Sequence, residues 1–472
     1  MQHGWRVAVI GGGIAGLAAA VRIKDSGPSG TRVTVFEQGP VLGGKLRTGE
    51  LAGSPVELGA EAFLVRDAST GQDSPAVTLA RRVGLGDDLV NPAVGAAAIA
   101  VERKLVPVPR GTLTGVPGDV GALAGFARVD AGRDLDNGEP LLGPDEDVAV
   151  GALVRRRLGD QVVERLVDPM LGGVYAGRAD RLSLAATMPA LARQARVEGS
   201  LTGAVKAAQA AFPRVKGGAV FATVRGGVSR LVAASAEASG AQIRLGATVR
   251  ELTRTPDGWR LTVGPTRDPE YVTVDAVVLA VPARPAARLL ADIDTGAADT
   301  VGALDYASVA LVTMALPQAE LPELSGFLVP AENGTAVKAA TFFSTKWAHL
   351  RRPDGMALLR ASVGRYGDEH VLQRDDADLA GIVHRELSTL VDHSLPKPLE
   401  TQVQRWGGAL PQYAPGHLDR VASARAALRR SAPTLALAGA GYDGVGIPIC
   451  VRSGEAAADA VLAALRALPE AR

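Results

Sequence analysis

A glycine-rich turn near the N-terminus constrains the fold more than any other part of the chain. Residues 6–16 read RVAVIGGGIAG, an apolar run suited to a buried parallel strand, followed by a G-x-G-x-x-G turn and Ala-rich, helix-forming sequence. Such glycines allow a tight turn, close approach of a pyrophosphate and close helix–strand packing, and the helix N-terminus favours negative charge. A second apolar run, Arg32 to Phe36, is followed by Glu37. A carboxylate at this position forms hydrogen bonds to the ribose hydroxyls of the dinucleotide and disfavours a 2′-phosphate. This order of strand, turn, helix, strand and acid predicts an α/β fold that binds a dinucleotide other than NADP.

Three further glycine-rich segments extend this prediction. Residues 41–48 read VLGGKLRT and residues 56–64 read VELGAEAFL, so Lys45 and Arg47 lie beside glycines that let backbone amides approach a cofactor. A surface hairpin with solvated charges is the alternative for these segments taken alone. Residues 439–448, GAGYDGVGIP, are typical of a turn that brings a helix N-terminus against a flavin ring. The N- and C-terminal segments together indicate a flavoenzyme.

Composition narrows the remaining classes of function. The 472 residues carry a formal net charge of +1, which gives no general reason to expect a nucleic-acid partner. Cys450 is the single cysteine and the six histidines are scattered, so intrachain disulfides are excluded and no metal site is predicted. A buried apolar filler is the preferred interpretation of Cys450. No apolar stretch reaches the ~18 residues of a membrane-spanning helix, and the first strand begins too early for a signal peptide. We therefore expect a cytoplasmic protein, with peripheral membrane contact left open.

Hydrophobic periodicity and the distribution of strand-like runs predict three domains. They are a cofactor-binding domain (1–66, 222–292 and 431–472), a mixed-sheet substrate-binding domain (67–92, 205–221 and 293–430) and a helical insertion (93–204). Within the insertion, Val154, Leu158, Val162 and Leu166 recur every four residues, which is typical of the buried face of a helix. The polar segment 128–146, rich in Asp, Gly and Pro, is predicted to be a mobile loop.

Several longer motifs point to one family of flavoproteins. The general ones are GGGIAGLAAA, LGGKLRT, RGGVSRLV and DAVVLAVPA, and the more specific ones are DPMLGGVYAGRADRLSLAATMPAL at 168–191, STKWAHLRRPDG at 344–355 and QRWGGALPQYAPGHLDRV at 404–421. With the C-terminal turn, this set resembles the oxygen-dependent protoporphyrinogen and coproporphyrinogen oxidases of the amine-oxidase superfamily. The resemblance implies a Rossmann-like FAD-binding domain of the amine-oxidase/p-hydroxybenzoate-hydroxylase type, with a mixed-sheet substrate domain and a helical insertion.

The same resemblance implies the chemistry and the residues that serve it. FAD would be bound non-covalently, and a porphyrinogen would lose six electrons by hydride transfer to the flavin, with three O2 reduced to three H2O2. The residues implied in FAD binding are Gly11, Gly12, Gly13, Ile14, Ala15, Gly16, Glu37, Gln38, Lys45, Arg47, Gly59, Ala60, Glu61, Ala62, Val249, Trp406, Val445, Gly446 and Ile447. Those implied in substrate binding are Gly172, Gly173, Val174, Phe327, Val329 and Lys338.

Some of these residues have a more specific expected role. The backbone of Val249 would meet the adenine, whereas Trp406 and the turn at 445–447 would border the isoalloxazine. Lys338 would pair with a substrate propionate, and an exposed lysine of a sheet is the alternative. No catalytic base is assigned. Glu61 and Asp67 flank the expected flavin face, where a helix cap or a solvated charge is the alternative.

The substrate and the reaction class leave alternatives open. The KAATFFSTKW segment at 338–347 is similar to soluble bacterial members that oxidise coproporphyrinogen III in haem biosynthesis, and protoporphyrinogen IX is the first alternative. Amine oxidases and carotenoid desaturases share the FAD motifs, and Cys450 would invite a covalent flavin, although it lies inside or beyond the glycine turn rather than before it. A non-catalytic tetrapyrrole carrier and a nicotinamide-dependent reductase are further alternatives, the latter disfavoured by the single dinucleotide motif. The expected partners are the porphyrinogen, O2 and, transiently, a ferrochelatase.

Overall fold

The computed structural model describes residues 4–67, 70–211 and 218–468. The strands are β1 (Arg6–Ile10), β2 (Arg32–Phe36), β3 (Thr48–Leu51), β4 (Ser54–Glu57), β5 (Phe63–Leu64), β6 (Leu89–Val90), β7 (Ala97–Val101), β8 (Lys104–Pro107), β9 (Thr112–Leu113), β10 (Val116–Pro117), β11 (Phe221–Val224), β12 (Gln242–Arg244), β13 (Val249–Thr255), β14 (Gly258–Val263), β15 (Glu270–Val274), β16 (Ala276–Leu279), β17 (Asp305–Leu316), β18 (Gly326–Leu328), β19 (Val337–Phe342), β20 (Ala357–Val363), β21 (Glu400–Gln412) and β22 (Leu435–Leu437). The helices are α1 (Ile14–Ser26), α2 (Pro75–Arg82), α3 (Val150–Leu158), α4 (Asp160–Val162), α5 (Asp168–Tyr175), α6 (Leu184–Thr187), α7 (Pro189–Ala195), α8 (Leu201–Ala211), α9 (Ser229–Ser239), α10 (Ala283–Leu290), α11 (Thr295–Gly302), α12 (Phe343–Lys346), α13 (Asp376–Leu390), α14 (His417–Ser431), α15 (Ala440–Asp443) and α16 (Ile447–Ala467). Within the described ranges, no helix is long and apolar enough to cross a membrane.

A five-stranded parallel sheet forms the centre of the cofactor side of the molecule. Its strand order is β12-β2-β1-β16-β22, and the strands come from the three sequence segments predicted to build one domain. Helices α1 and α16 cover one face, whereas α10, α11, α14 and the antiparallel strands β13–β15 cover the other. Because the strands are parallel, the turns that follow β1, β2 and β22 meet at the same edge of the sheet.

A second sheet faces this unit. Its order is β21-β17-β20-β19-β18-β7-β8, and its pairs are antiparallel except for β18 with β7. Helix α13 packs on one face, where apolar side chains of β17, β19 and β20 form a continuous core. The opposite face points towards the β3–β4 hairpin and residues 57–61, since Arg360 of β20 donates to the carbonyl oxygens of Glu57 and Gly59 at 2.8 and 2.9 Å.

The helical part lies against the far edge of the second sheet. Val154, Leu158, Val162 and Leu166 are all buried in one cluster, as predicted. They do not share one helix, because α3 ends at Leu158 and Gly159, with a φ of +91°, separates it from the helical segments that follow. Strands β7 and β8 fall inside the segment predicted to be helical, yet they extend the second sheet, and α8 packs in the helical cluster rather than with the sheet. The exact domain boundaries therefore stay a prediction.

Residues 1–3, 68–69, 212–217 and 469–472, which the predicted domains include, lie outside the described residues. The 128–146 segment is described. It is largely irregular, but it is anchored at two points. The carboxylate of Asp134 accepts the backbone N–H groups of Leu201 and Thr202 at 2.7 and 2.9 Å, which caps the start of α8. Leu141 and Leu142 are buried in the helical cluster. The predicted mobility of this segment stays a prediction.

Candidate active site

The glycine-rich turn leaves the N-terminus of α1 uncapped. Gly13 precedes the helix, and among the described residues no side chain caps it and no acid lies in its first turn. A Cβ atom at Gly16 would lie 2.0 Å from the carbonyl oxygen of Gly11, so only glycine allows α1 to start this close to β1. Ile14 and Ala15 are buried below the turn. The first N–H groups of the helix lack intrahelical partners, which fits the predicted pyrophosphate site.

The Glu37 carboxylate lies at the same edge. Its Oε2 accepts the N–H of Gly12 at 2.8 Å, and its Oε1 accepts the N–H of Gly39 at 2.7 Å. The N–H of Ala247 donates to the backbone oxygen of Glu37 at 2.9 Å, and Val249 begins β13 two residues later. A carboxylate keeps further lone pairs for ribose hydroxyls, so the positions fit the roles predicted for Glu37 and Val249.

A second group of predicted cofactor residues meets around Lys45. Its Nζ donates to the carbonyl oxygen of Ala409 at 2.9 Å, and its own carbonyl oxygen accepts the N–H of Ala60. Burial lowers the pKa of the Lys45 ammonium. The indole N–H of Trp406 donates to the carbonyl oxygen of Leu58 at 2.6 Å. The structure thus brings together residues 45, 59–60 and 406, which lie far apart in the sequence.

Three other predicted cofactor residues are placed differently. The side chains of Gln38 and Arg47 are exposed, and Ala62 packs against an apolar cluster that contains Phe343 and Trp347. The backbone carbonyl oxygen of Arg47 accepts the N–H of Leu58, whereas its side chain forms no hydrogen bond with the described residues. A cofactor role for these three side chains stays a prediction.

The C-terminal turn provides a second uncapped helix N-terminus. Val445 and Gly446 form the turn, Gly446 with a φ of +115°, which favours glycine, and α16 begins at Ile447 without a side-chain cap from the described residues. Ile447 packs in the same cluster as Ile14 of α1. Two helix N-termini, each with a partial positive charge, therefore lie at one edge of the parallel sheet. Together with Glu37 and Lys45, this arrangement fits the FAD predicted from the sequence.

Glu61 is neither a cap nor a solvated charge. Its side chain is only 8% exposed, and its carboxylate binds Lys346 at 2.7 Å, Arg360 at 3.0 Å and the indole N–H of Trp347 at 2.8 Å. Burial raises the pKa of Glu61, but the charges of Lys346 and Arg360 outweigh it and hold the pKa below its usual value. Asp67, the other carboxylate considered, pairs with an arginine of α16. Glu61 thus joins the 57–61 segment to the second sheet.

Glu57 is a buried carboxylate that was not predicted from the sequence. It accepts the N–H of Val228 at 2.7 Å and the hydroxyl of Thr48 at 3.1 Å. Burial raises its pKa to about 7. Glu57 and Glu61 both line a cavity of about 290 Å³. Glu57 could have been predicted from its place in the glycine-containing VELG segment at 56–59.

Half of the predicted substrate residues meet in one cavity of about 250 Å³. Its lining residues are Asp168, Pro169, Gly172, Gly177, Val329, Ala331, Lys338 and Arg365. Gly172, Val329 and Lys338 were predicted. Asp168 lies in the DPMLGG motif and could have been predicted from it, whereas Arg365 follows β20 and belongs to none of the family motifs.

The prediction that Phe327 faces the cleft is wrong. Phe327 is 2% exposed and its ring packs against Phe342, with centroids 5.7 Å apart, on the α13 side of the sheet. Successive side chains of a strand point to opposite faces, so Leu328 points the other way and contacts Gly173 of α5. Gly173 and Val174 are exposed, outside the residues that line the cavity.

Lys338 is buried, so the alternative of an exposed sheet lysine is wrong. The residue is 6% exposed, and its Nζ donates to the carbonyl oxygen of Gly172 at 3.3 Å. Burial and, to a lesser extent, the charges of Arg365 and Arg360 lower the pKa of the Lys338 ammonium to about 7.

The chain matches known proteins over nearly its whole length. A coproporphyrinogen III oxidase of Mycobacterium tuberculosis is 38% identical over 470 residues, covering 97% of this chain and 98% of that protein. The coproporphyrinogen III oxidase of Bacillus subtilis is 32% identical over 480 residues, with 96% of each chain covered. The crystal structure of a protein from Exiguobacterium sp. 255-15 is 29% identical, with a TM-score of 0.83 over 98% of this chain and 99% of the other. These similarities confirm the predicted fold class. Residues 14–462 match the family model for flavin-containing amine oxidoreductases, so the chain belongs to that family and is an FAD-dependent oxidoreductase.

Proposed function

We propose that this protein oxidises coproporphyrinogen III to coproporphyrin III in haem biosynthesis, with O2 as the electron acceptor. The full-length similarity to two bacterial coproporphyrinogen III oxidases, at 32–38% identity, is the observation that carries the proposal. The reaction removes six electrons and six protons from the macrocycle, and three O2 take them up as three H2O2. When bound, FAD supplies the two-electron acceptor chemistry that each of the three oxidations requires.

The residues at the edge of the parallel sheet would hold the cofactor without a covalent bond. The turn at 11–16 and the start of α1 would bind the pyrophosphate, and Glu37 would bind the ribose. Lys45 and Trp406 would border the isoalloxazine. The N-terminus of α16 would lie at the pyrimidine edge of that ring, where its partial positive charge favours negative charge.

The cavity that contains Lys338 supports the proposed substrate. It is lined by α5 and by residues of the second sheet, and so lies where the helical part meets that sheet. Gly172, Val329 and Lys338 would contact substrate, and the exposed Gly173 and Val174 would contact it at the rim. We assign no catalytic base.

Turnover of purified, FAD-loaded protein in air tests this function. Porphyrin fluorescence should grow on coproporphyrinogen III well above the uncatalysed rate, with about three H2O2 for each porphyrin. Protoporphyrinogen IX, assayed in parallel, should be oxidised more slowly. The matched control is Gly16→Ala, which should lack FAD and activity.

Other outcomes would identify the alternatives. A strong preference for protoporphyrinogen IX would overturn the assignment of substrate but not of reaction. Porphyrin binding without oxygen-linked turnover would indicate a tetrapyrrole carrier, and H2O2 formation from amines would indicate an amine oxidase. Cytoplasmic location, peripheral membrane contact and transient contact with a ferrochelatase stay predictions.

A further inference from the structure

We propose that Lys338 and Arg365 form a binding subsite for one carboxylate of the substrate, an inference that rests on the proposed function. The two side chains line one wall of the 250 Å³ cavity, Lys338 from β19 and Arg365 from the turn after β20. Asp168, Pro169 and Gly172 of α5 line the opposite wall. The subsite is therefore built between the second sheet and the helical part.

Neither cation forms an ion pair with an acid among the described residues. Within the described ranges, the Lys338 ammonium bonds only to the carbonyl oxygen of Gly172, and the Arg365 guanidinium donates only to the carbonyl oxygens of residues 329, 335 and 337. No carboxylate in the described part of the chain lies within ion-pair distance of either group. Lys338 has three N–H donors, so at least one of them is free to meet a ligand in the cavity.

The acids around the cavity are already occupied. Asp168 accepts the N–H of Ala179 at 2.7 Å and pairs with Arg178 at 3.3 Å. On the side of α13, the Glu386 carboxylate accepts the backbone N–H groups of Ala336 and Val337, the two residues before Lys338. The remaining groups that face Lys338 and shift its pKa are the guanidinium groups of residues 360 and 365. Asp168, Asp368 and Glu386 act on the charge of Arg365 only from beyond ion-pair distance.

Two buried cations without a carboxylate at ion-pair distance among the described residues favour an anionic ligand. Burying an ammonium without a counter-ion is unfavourable, and a carboxylate would restore the balance through short, charge-assisted hydrogen bonds. The propionates are the only charged groups of a porphyrinogen, so they are the groups that this site would select. The cavity is far too small for the macrocycle, so only one substituent of the substrate could enter it.

Binding of the product tests the subsite separately from turnover. The probes are coproporphyrin III and its tetramethyl ester in matched detergent, titrated by fluorescence against FAD-loaded protein. Lys338→Met should weaken binding of the free acid by about ten- to a hundredfold, the effect of losing a hydrogen bond to a charged group, and should leave the ester unchanged. Lys338→Arg should restore most of the affinity. The matched control is Lys104→Met, which removes an exposed lysine of the same sheet.

Each outcome decides the proposal. Equal affinity of the wild type and Lys338→Met for the free acid overturns it, as does an equal loss for acid and ester, which would indicate damage to the cavity. Protein that binds the acid through Lys338 but shows no turnover on coproporphyrinogen III keeps the subsite and overturns the proposed function. Wild-type protein that does not bind coproporphyrin III overturns the subsite. FAD content and thermal unfolding of each variant identify those that fail to fold.

Discussion

Replacement of Glu61 by glutamine should cost the protein several kcal/mol of stability. The change leaves Lys346 and Arg360, whose side chains are 16% and 11% exposed, without their acidic partner. Removing one member of a buried ion pair costs about 3–5 kcal/mol, because the remaining charge is left uncompensated. The amide oxygen still accepts the indole N–H of Trp347, so that hydrogen bond adds little to the loss.

Urea unfolding of FAD-loaded protein, followed by tryptophan fluorescence, measures this loss. The control is Asp459→Asn, which breaks the exposed pair of Asp459 with Arg22 and should cost less than about 1 kcal/mol. Adding Lys346→Met to Glu61→Gln removes one uncompensated charge, so the double variant should be more stable than the sum of the single effects predicts. If Glu61→Gln proves as mild as Asp459→Asn, the reasoning is refuted.

The stability difference between wild type and Glu61→Gln should also depend on pH in a predictable direction. The folded-state pKa of Glu61 is lowered, so its contribution is fully present above the unfolded pKa, near about 4.3, and is lost as the pH falls through the folded value. The difference in stability between wild type and Glu61→Gln should therefore shrink below about pH 4. A difference that persists unchanged in acid would contradict the ion-pair origin.

Three further predictions concern the ligands. Gly16→Ala should abolish FAD binding, because the added Cβ would lie 2.0 Å from the carbonyl oxygen of Gly11. The control Gly132→Ala places its Cβ in open space and should keep the full flavin content, measured by absorbance. Flavin retained by Gly16→Ala would contradict the packing argument. Coproporphyrin III binding should weaken as the pH rises above about 7, where the Lys338 ammonium loses its proton, and Lys338→Arg should bind evenly from roughly pH 6 to 9; a flat wild-type profile would count against the subsite. Acid precipitation should leave the yellow flavin in the supernatant. Burial raises the pKa of the Cys450 thiol to about 11, which disfavours the thiolate that a covalent bond to FAD requires. Colour that stays with the precipitated polypeptide would indicate a covalently bound flavin.

The parallel sheet could be predicted because its signals are local. The bounds of β1 and β2 agree with the predicted runs, since each run is apolar along its length and ends at a turn or an acid. The partners of Glu61 could not be found in this way. Trp347 and Arg360 lie 286 and 299 residues further along the chain, and only the fold brings them to the carboxylate.

Side-chain direction was harder to predict than the strands themselves. On the three-residue strand β18, a shift of one position exchanges the two faces, which is why Phe327 packs in the core and Leu328 faces α5. On β19 the register shifts between Val337 and Ala339, so Lys338 lies at an irregularity of the ladder. Such irregularities re-aim a side chain, and they have no signature in the hydrophobic pattern.

The buried charges of Glu61 and Lys338 differ in how nearby groups compensate them. This difference distinguishes a charge that stabilises the fold from one that binds a ligand. Glu61 has two cations and an indole N–H within 3.0 Å, so folding alone satisfies it and its removal should be seen in stability. Lys338 has one weak backbone acceptor at 3.3 Å and two guanidinium groups as neighbours, so folding alone leaves it unfavourable. Truncating Lys338 to methionine should then preserve or raise the stability of the ligand-free protein while it weakens the affinity for a carboxylate. That opposite movement of stability and binding is what a ligand site predicts and what a structural ion pair excludes.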